Sequence, residues 1–248
     1  MSIRRRILAA ALAASLCMSL AACTASGGGN APTATAIGVT TEQAQILAIT
    51  RFRNYDDTSR PFQTSLEESG QQLAITGWVD WVSGEGYAAV ASDSGESGVV
   101  VWNHETTAAT GADLAAGEFP PLPAPTLAEA EADLSWGARP VDISTSALDA
   151  VLATTLALGS DRPDNPLLVQ QSGALWLRND AVDGIEVSVF VAPPSDDAVS
   201  ELPSADESGL RLWIDEEGTM WRAEVRVGAS WSTVDFDAPD GTRLGAAE

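Results

Sequence analysis

The chain has a single histidine, so acid–base chemistry would have to involve it or a pair of carboxylates. His104 follows an apolar segment and has Glu105 beside it. As a general base, an imidazole needs a nucleophile and an orienting acid within reach. No GxSxG, HExxH or P-loop motif occurs in the sequence to supply them. We therefore interpret His104 as a turn residue.

Adjacent carboxylates occur at several places and could be compared with the paired acids of a glycosidase. Neighbouring residues on a strand point to opposite faces, so such pairs do not converge on a substrate. Two further segments could offer oxygen ligands to calcium, but neither has the twelve-residue spacing of a known calcium loop. We therefore expect no enzymatic activity, no metal and no cofactor. The pairs are Asp56-Asp57, Glu67-Glu68, Asp196-Asp197 and Glu216-Glu217, and the two segments are Asp93 to Glu96 and Asp161 to Asn165.

Covalent modification of Cys23 is the chemistry that the sequence favours. A cationic cluster at residues 4–6 precedes the uncharged apolar stretch 7–20, which is shorter than the roughly 20 residues that span a bilayer. The segment Leu20-Ala21-Ala22-Cys23 then resembles the lipobox of bacterial lipoproteins. This resemblance implies that the thiol of Cys23 takes a diacylglyceryl group and that residues 1–22 are removed. The alternative is an ordinary signal peptide with a coincidental cysteine.

The export route stays open, because residues 3–8 fit both a general secretion signal and a twin-arginine signal. On either route we expect a lipid-anchored protein on the extracytoplasmic face of the cell membrane. Cys23 would be the only cysteine left after cleavage, so an intrachain disulfide is excluded and the fold must be held by burial. Cys17 lies in the segment that is removed.

The mature chain is strongly acidic and contains no lysine. Three of the 13 arginines lie in the first six residues, which leaves 10 against all 35 acidic residues and a formal charge of −25. That charge repels nucleic acid and anionic head groups, so we exclude nucleic-acid binding and expect the lipid alone to hold the protein at the membrane. The lack of lysine together with abundant alanine indicates a GC-rich, actinobacterial genome.

Hydrophobic periodicity divides the chain into a short tether and one domain. Residues 23–39 are small and Gly-rich and predict a flexible tether. A helix is predicted from Thr40, by its capping box with Gln43, to about 54–57, with Ile46, Ile49 and Phe52 on one face. Alternation then predicts a meander, with a bulge or bend at Gly77. Its strands are 62–69, 71–82, 85–92 and 97–103.

The second half of the domain repeats the order of helix and meander. Residues 106–140 are predicted to be a surface excursion with a short helix at 126–134, and a helix runs from the cap Ser146 to just before Gly159. The segment 193–209 is predicted to be a long acidic loop. The strands predicted in this half are 167–170, 174–179, 185–192, 210–215, 219–228 and 231–237.

This order of elements resembles the LolA-like fold, in particular the mycobacterial LppX/LprG-type lipoproteins. Residues 72–92 (QLAITGWVDWVSGEGYAAVAS) resemble the first hairpin of that group. Residues 210–227 (LRLWIDEEGTMWRAEVRV) and 232–239 (STVDFDAP) resemble its closing strands. The resemblance covers residues 40–240 and implies an α+β fold for residues 40–248, in which helices cover a curved antiparallel half-barrel. It also implies carriage or sensing of a lipid or other hydrophobic molecule.

Two apolar strand faces are the candidate lining of a ligand cavity. Seven of the eight tryptophans fall in predicted strands, and inward-facing side chains in a half-barrel either fill a core or line a cavity. Both outcomes stay open at this point. A cavity favours a carrier of an apolar ligand, whereas a filled core favours a non-enzymatic adaptor that docks another envelope protein. The candidate lining residues are Leu73, Ile75, Val79 and Trp81 on one face, and Val187 and Val189, with Ile185, on the other.

We predict that Cys23→Ala abolishes lipidation, because the thiol is the acceptor of the acyl-bearing group. Metabolic labelling with an alkyne fatty acid and partitioning into Triton X-114 measure the effect. The matched control is Cys17→Ala, which should leave labelling unchanged. Wild-type protein that takes up no label would contradict the prediction.

Overall fold

Alternating apolar residues form one antiparallel sheet of twelve strands. The structure, a computed structural model, describes residues 36–193, 199 and 201–245. The signal segment and Cys23 lie outside the described residues. The helices are α1 (Thr41–Asp56), α2 (Leu127–Ala132), α3 (Ala147–Ala157) and α4 (Pro166–Gln171). The strands are β1 (Ile37–Gly38), β2 (Ser59–Glu68), β3 (Gln71–Asp80), β4 (Glu85–Ser92), β5 (Ser97–Trp102), β6 (Thr106–Gly111), β7 (Gly137–Pro140), β8 (Leu175–Val182), β9 (Ile185–Val191), β10 (Leu210–Ile214), β11 (Met220–Val227) and β12 (Ser230–Phe236).

Two meanders make up the sheet, and the last strand joins them. The order is β1-β8-β9-β10-β11-β12-β2-β3-β4-β5-β6-β7, so β1 and β7 are the two edges. At the joint, Val234 of β12 pairs with Thr64 of β2 and Phe236 pairs with Phe62. The sheet is curved and does not close, and α1 and α3 lie against one face, which we call the inner face. The predicted α+β architecture, a curved antiparallel half-barrel covered by helices, is confirmed.

Helix α1 begins as predicted but buries a different face. The backbone N–H of Gln43 donates to Thr40 Oγ1 at 3.2 Å, and Gln43 Oε1 accepts from the backbone N–H of Thr40 at 2.9 Å. Ile46, Ile49 and Phe52, the large apolar residues predicted to lie on one face, are all only partly buried. The small side chains of the buried face let the helix approach its neighbours closely. That face is Ala44, Leu47, Ala48, Thr50 and Asn54.

Two buried tryptophans fix α3 on the inner face. The indole N–H of Trp81 donates to the carbonyl oxygen of Thr155 at 2.9 Å. The indole N–H of Trp102 donates to the carbonyl oxygen of Leu152 at 3.0 Å, and its ring meets Phe62 edge-on. A buried indole N–H without an acceptor would cost about 1–3 kcal/mol, so these bonds set both the depth and the register of the helix.

A buried arginine reinforces the joint between the meanders. Arg60 of β2 is fully buried; its Nε donates to the carbonyl oxygen of Asp237 at 2.9 Å and its Nη1 to that of Met220 at 2.6 Å. The guanidinium carbon also lies 5.3 Å from the centroid of the Trp221 ring. Burial lowers the pKa of Arg60 to about 10, and the negative charge of Asp57 opposes that shift. The side chain therefore connects β2, β11 and the chain that leaves β12.

The outer face of the sheet is also apolar, and over β3 to β6 it is covered by α2 and the C-terminal segment. Trp78, Tyr87 and Val101 pack there against α2, and the C-terminal segment returns to bury Leu244 among them. The backbone N–H of Ala124 donates to the carbonyl oxygen of Leu244 at 2.8 Å. On the half of this face formed by β8 to β10, the valines of β9 pack around Trp213. Among the described residues, no helix combines the length and apolar character needed to cross a bilayer.

Several local predictions need correction. The segment 106–140 is not only a surface excursion, because it supplies β6 and β7 as well as the predicted short helix. The predicted strand 167–170 is instead α4, which Asn165 caps and Pro166 begins. Gly77 marks no bulge, since pairing on both of its sides stays in register; a Cβ there would collide with the backbone of β4. The predicted tether ends too late, because β1 already pairs with β8.

We predict that Gly86→Ala destabilises the domain by about 1–3 kcal/mol. A Cβ at Gly86 would lie well inside van der Waals contact with the ring of Trp102, so the indole would have to shift from the position in which it donates to Leu152. Urea unfolding measures the loss. Gly111→Ala is the matched control, because Gly111 also lies in a strand and has open space around it. Equal stability of the two variants would contradict the packing described for Trp102.

Candidate ligand-binding site

A cavity of about 500 Å³ lies where α1, α3 and α4 meet the sheet at β10. We call it the helix-lined cavity. Its volume is within the usual range for sites that bind small molecules. Aliphatic side chains supply most of its wall, and a few polar groups come from the helices. The lining residues are Leu47, Thr50, Arg51, Asn54, Thr154, Ala157, Leu158, Asp164, Asn165, Leu168, Val169, Ser172, Ala192, Pro193, Leu210 and Leu212.

Helical and strand periodicity bring these residues to one place. The α1 residues 47, 50, 51 and 54 recur with the spacing of one helical face. Residues 154, 157 and 158 do the same at the end of α3, as do 165, 168, 169 and 172 on and around α4. Leu210 and Leu212 alternate on the same side of β10. The cavity therefore forms between three helix faces and one strand face.

Arg51 ties α1 to the segment that follows α3. Its Nε donates to the carbonyl oxygen of Ala157 at 3.1 Å, and its Nη2 to that of Gly159 at 3.4 Å. Its Nη1 pairs with Asp164 Oδ1 at 3.3 Å. The backbone N–H of Ser160 also donates to the carbonyl oxygen of Arg51 at 3.0 Å. One guanidinium thus fixes one wall of the cavity relative to another.

Asn54 is the most deeply buried polar residue of the lining. Its Nδ2 donates to the carbonyl oxygen of Leu158 at 2.7 Å, which fixes the residue that follows α3 against α1. Its Oδ1 is buried and accepts no hydrogen bond from the described residues. Thr50 Oγ1 donates within its own helix to the carbonyl oxygen of Ile46 at 2.9 Å. Because these groups mainly bond to the protein, the wall is suited to apolar contact with a ligand.

The residues predicted to line a cavity are divided between the two faces of the sheet. Ile75, Val79 and Trp81 lie in the inner-face core beneath α3, and Leu73 borders a second, smaller cavity of about 250 Å³ beside the other end of that helix. Val187 and Val189 lie in the outer-face cluster with Trp213. The six candidates therefore do not share one cavity, and none belongs to the lining of the helix-lined cavity.

The physical reason is that both faces of β9 are covered. Apolar residues at 185, 187, 189 and 191 belong to the outer face, while Phe190 fills the inner-face core. Alternation of apolar residues assigns them to the two faces of a strand, but it does not show which face lies on the inner side of the sheet. Asn165 followed by Pro166 is a helix-start signal and could have revealed α4. The polar members of the α1 lining carry no comparable signal.

His104 and the pair Glu216-Glu217 are exposed, as expected for solvated side chains, whereas Asp196-Asp197 lies outside the described residues. His104 is exposed in the turn between β5 and β6. Glu216 and Glu217 belong to a turn at the edge of an acidic groove of about 490 Å³, in which Asp215 already accepts the indole N–H of Trp221 at 2.8 Å. Within the described ranges, no three His, Cys, Asp or Glu side chains are grouped so that they could hold a metal ion.

A solved structure resembles the chain at low sequence identity. No family model matches the chain, and no curated protein sequence matches it. The structure is similar to the crystal structure of LprF from Mycobacterium bovis, with 11% sequence identity and a TM-score of 0.40. The match covers 85% of this chain and 99% of that one. The assignment of the fold rests on the strand order and on the helices of the inner face.

We predict that Arg51→Met lowers the free energy of unfolding by about 1–3 kcal/mol, because it leaves the carbonyl oxygens of Ala157 and Gly159 without their donor. Thermal unfolding followed by near-UV circular dichroism measures this change through the tryptophans. Arg53→Met removes the same charge from the exposed side of α1 and should have little effect. If Arg51→Met has the same melting temperature as wild type, the hydrogen bonds of Arg51 contribute no stability.

Proposed function

We propose that the protein is a lipid-anchored extracytoplasmic lipoprotein whose domain binds a lipid or other hydrophobic molecule in the helix-lined cavity. The observation that carries this proposal is the cavity itself. A domain that served only as a packed scaffold would fill this space with side chains, as it does beneath α3. A cavity of about 500 Å³ with walls that include Leu158, Leu210 and Leu212 instead offers a hydrocarbon chain a surface away from water.

The magnitude of the interaction agrees with a carrier role. Burial of each methylene group contributes about 0.8 kcal/mol, so about ten buried methylenes would supply the roughly 8 kcal/mol that micromolar binding requires. Two of the polar residues of the wall, Arg51 and Asn54, lie together on α1. The guanidinium of Arg51 has five N–H groups and uses three of them for Ala157, Gly159 and Asp164, so a carboxyl or ester head group could accept hydrogen bonds from the others. These features support the carrier over a non-enzymatic adaptor that docks another envelope protein.

The anchoring part of the proposal rests on the sequence around Cys23. The cationic cluster, the short apolar stretch and the lipobox-like residues all precede the first described strand. Export followed by lipidation would place the acidic domain on the extracytoplasmic face of the cell membrane. The protein would have no catalytic role, and its partners would be the membrane and the apolar ligand.

We predict that Ala157→Trp weakens the binding of a fluorescent fatty acid by about tenfold or more, which corresponds to 1.4 kcal/mol. The indole would occupy space at the end of α3 that the acyl chain needs. Titration with cis-parinaric acid measures binding to a chain that begins at residue 24 and so retains every described element.

Ala128→Trp is the matched control, because it makes the same substitution at an exposed helical alanine. Ala128 lies on α2, on the other side of the sheet, and does not belong to the lining of the helix-lined cavity. This variant should bind the fatty acid as wild type does. Both variants should keep the melting transition of the wild type. If Ala157→Trp leaves saturable binding unchanged, the ligand binds outside the helix-lined cavity. If the wild-type protein binds no probe, the adaptor function is favoured.

A further inference from the structure

Four large aliphatic side chains are exposed on β1, on α4 and in the segment that precedes β10. Their exposed fractions are 49% for Ile37, 60% for Leu167, 47% for Leu168 and 56% for Leu202. We call these four residues the rim patch. Single exposed aliphatic residues need no explanation, but a group on neighbouring elements marks a contact surface.

Contacts between the elements hold these residues in one region. A methyl carbon of Leu202 lies 3.3 Å from the position that a Cβ on Gly38 would take, so Leu202 is beside β1. Gln170 of α4 donates from Nε2 to the carbonyl oxygen of Val39 at 3.1 Å. Leu167 precedes Gln170 by three residues and therefore lies on the same side of α4.

The rim patch also borders the mouth of the helix-lined cavity. Leu168 belongs both to the patch and to the lining of the cavity, where it is beside Val169 and Ser172. A hydrocarbon chain that left the cavity across α4 would stay in contact with aliphatic side chains. The patch and the cavity thus form one continuous apolar surface on the described residues.

The position of the patch along the chain identifies what can cover it. Ile37 follows Cys23 by 14 positions, and a fully extended chain of that length reaches at most about 50 Å. If Cys23 carries the lipid, the patch is the described part of the fold with the shortest connection to the bilayer. Attachment keeps the local concentration of bilayer surface high, so a weak apolar contact is enough to orient the domain.

We propose that the rim patch rests on the phospholipid bilayer that holds the anchor, so that the mouth of the helix-lined cavity faces the lipid. This proposal rests on the proposed lipid anchor and specifies how the domain is oriented. The occupant of the patch is the apolar interfacial layer of the membrane. The net acidic charge of the domain gives no electrostatic attraction to anionic head groups, so aliphatic contact must supply the interaction.

The test places a fluorophore on the lipidated protein. Because Cys23 is acylated in that form, a cysteine introduced at Leu167 or Leu202 is the only free thiol of the mature chain. The matched controls are Leu134→Cys and Ile143→Cys, which replace exposed aliphatic residues close to β7, at the opposite edge of the sheet. Each variant is labelled with a nitrobenzoxadiazole maleimide and reconstituted into phosphatidylcholine vesicles that contain doxyl-labelled acyl chains.

We expect the protein to float with the vesicles. The probes at 167 and 202 should be quenched at least about twofold more than those at 134 and 143, since interfacial groups insert about 5–10 Å into the bilayer. Equal quenching at all four positions overturns the orientation and leaves the anchor intact. If the emission of the probes at 167 and 202 is blue-shifted but not quenched, the patch does not contact the bilayer, because another protein or a second copy of the chain then covers it. Protein that does not float overturns both the orientation and the anchor.

Discussion

The inner face of the sheet depends on two indole N–H groups that reach carbonyl oxygens of one helix. Trp81 and Trp102 bond to α3 three residues apart, which prevents the helix from sliding or rotating on the strands. The end of α3 then contributes Ala157 and Leu158 to the helix-lined cavity, and the following residues are held to α1 by Arg51. The cavity is therefore a consequence of where these tryptophans place α3.

Core and cavity occupy different parts of the same face. Beneath α3, large side chains such as Phe62, Trp102 and Ile75 fill the space between helix and sheet. Beside α1 and α4, the side chains are shorter or already bonded to the protein, as Asn54 is to Leu158. Both outcomes considered for inward-facing residues therefore occur, the filled core beneath α3 and the helix-lined cavity at the end of that helix.

Much of the fold could be predicted from local patterns. The capping box at Thr40 and the cap at Ser146 locate α1 and α3, and alternation with turn residues locates most strands. The pairing of β12 with β2 was not predicted, because no local pattern encodes pairing across such a distance. The short strands β6 and β7 were also missed, because their own sequences alternate only weakly. Their stability comes from pairing with a neighbouring strand that has already formed.

The candidate site was less predictable than the fold. Val187 and Val189 have the pattern of a half-buried strand, but both faces of β9 are covered, so the pattern does not identify the inner one. The actual lining combines residues from three helices and one strand, and its polar members carry no signal in the sequence. Arg51 and Asn54 resemble ordinary surface residues of a helix until α3 and the segment after it are in place.

The pairing of β12 with β2 has a consequence for how the chain folds. Strands β2 to β5 connect neighbours in the sequence and can form during synthesis, but β2 lacks its second partner until residues 230–236 have been made. Because closing so long a loop costs entropy before the new contacts compensate, the joint is a late and slow step. Until then, one edge of each meander has unsatisfied backbone groups, and Arg60 lacks the carbonyl oxygen that Asp237 supplies. A chaperone that shields the edge of β2 would protect the molecule during this interval.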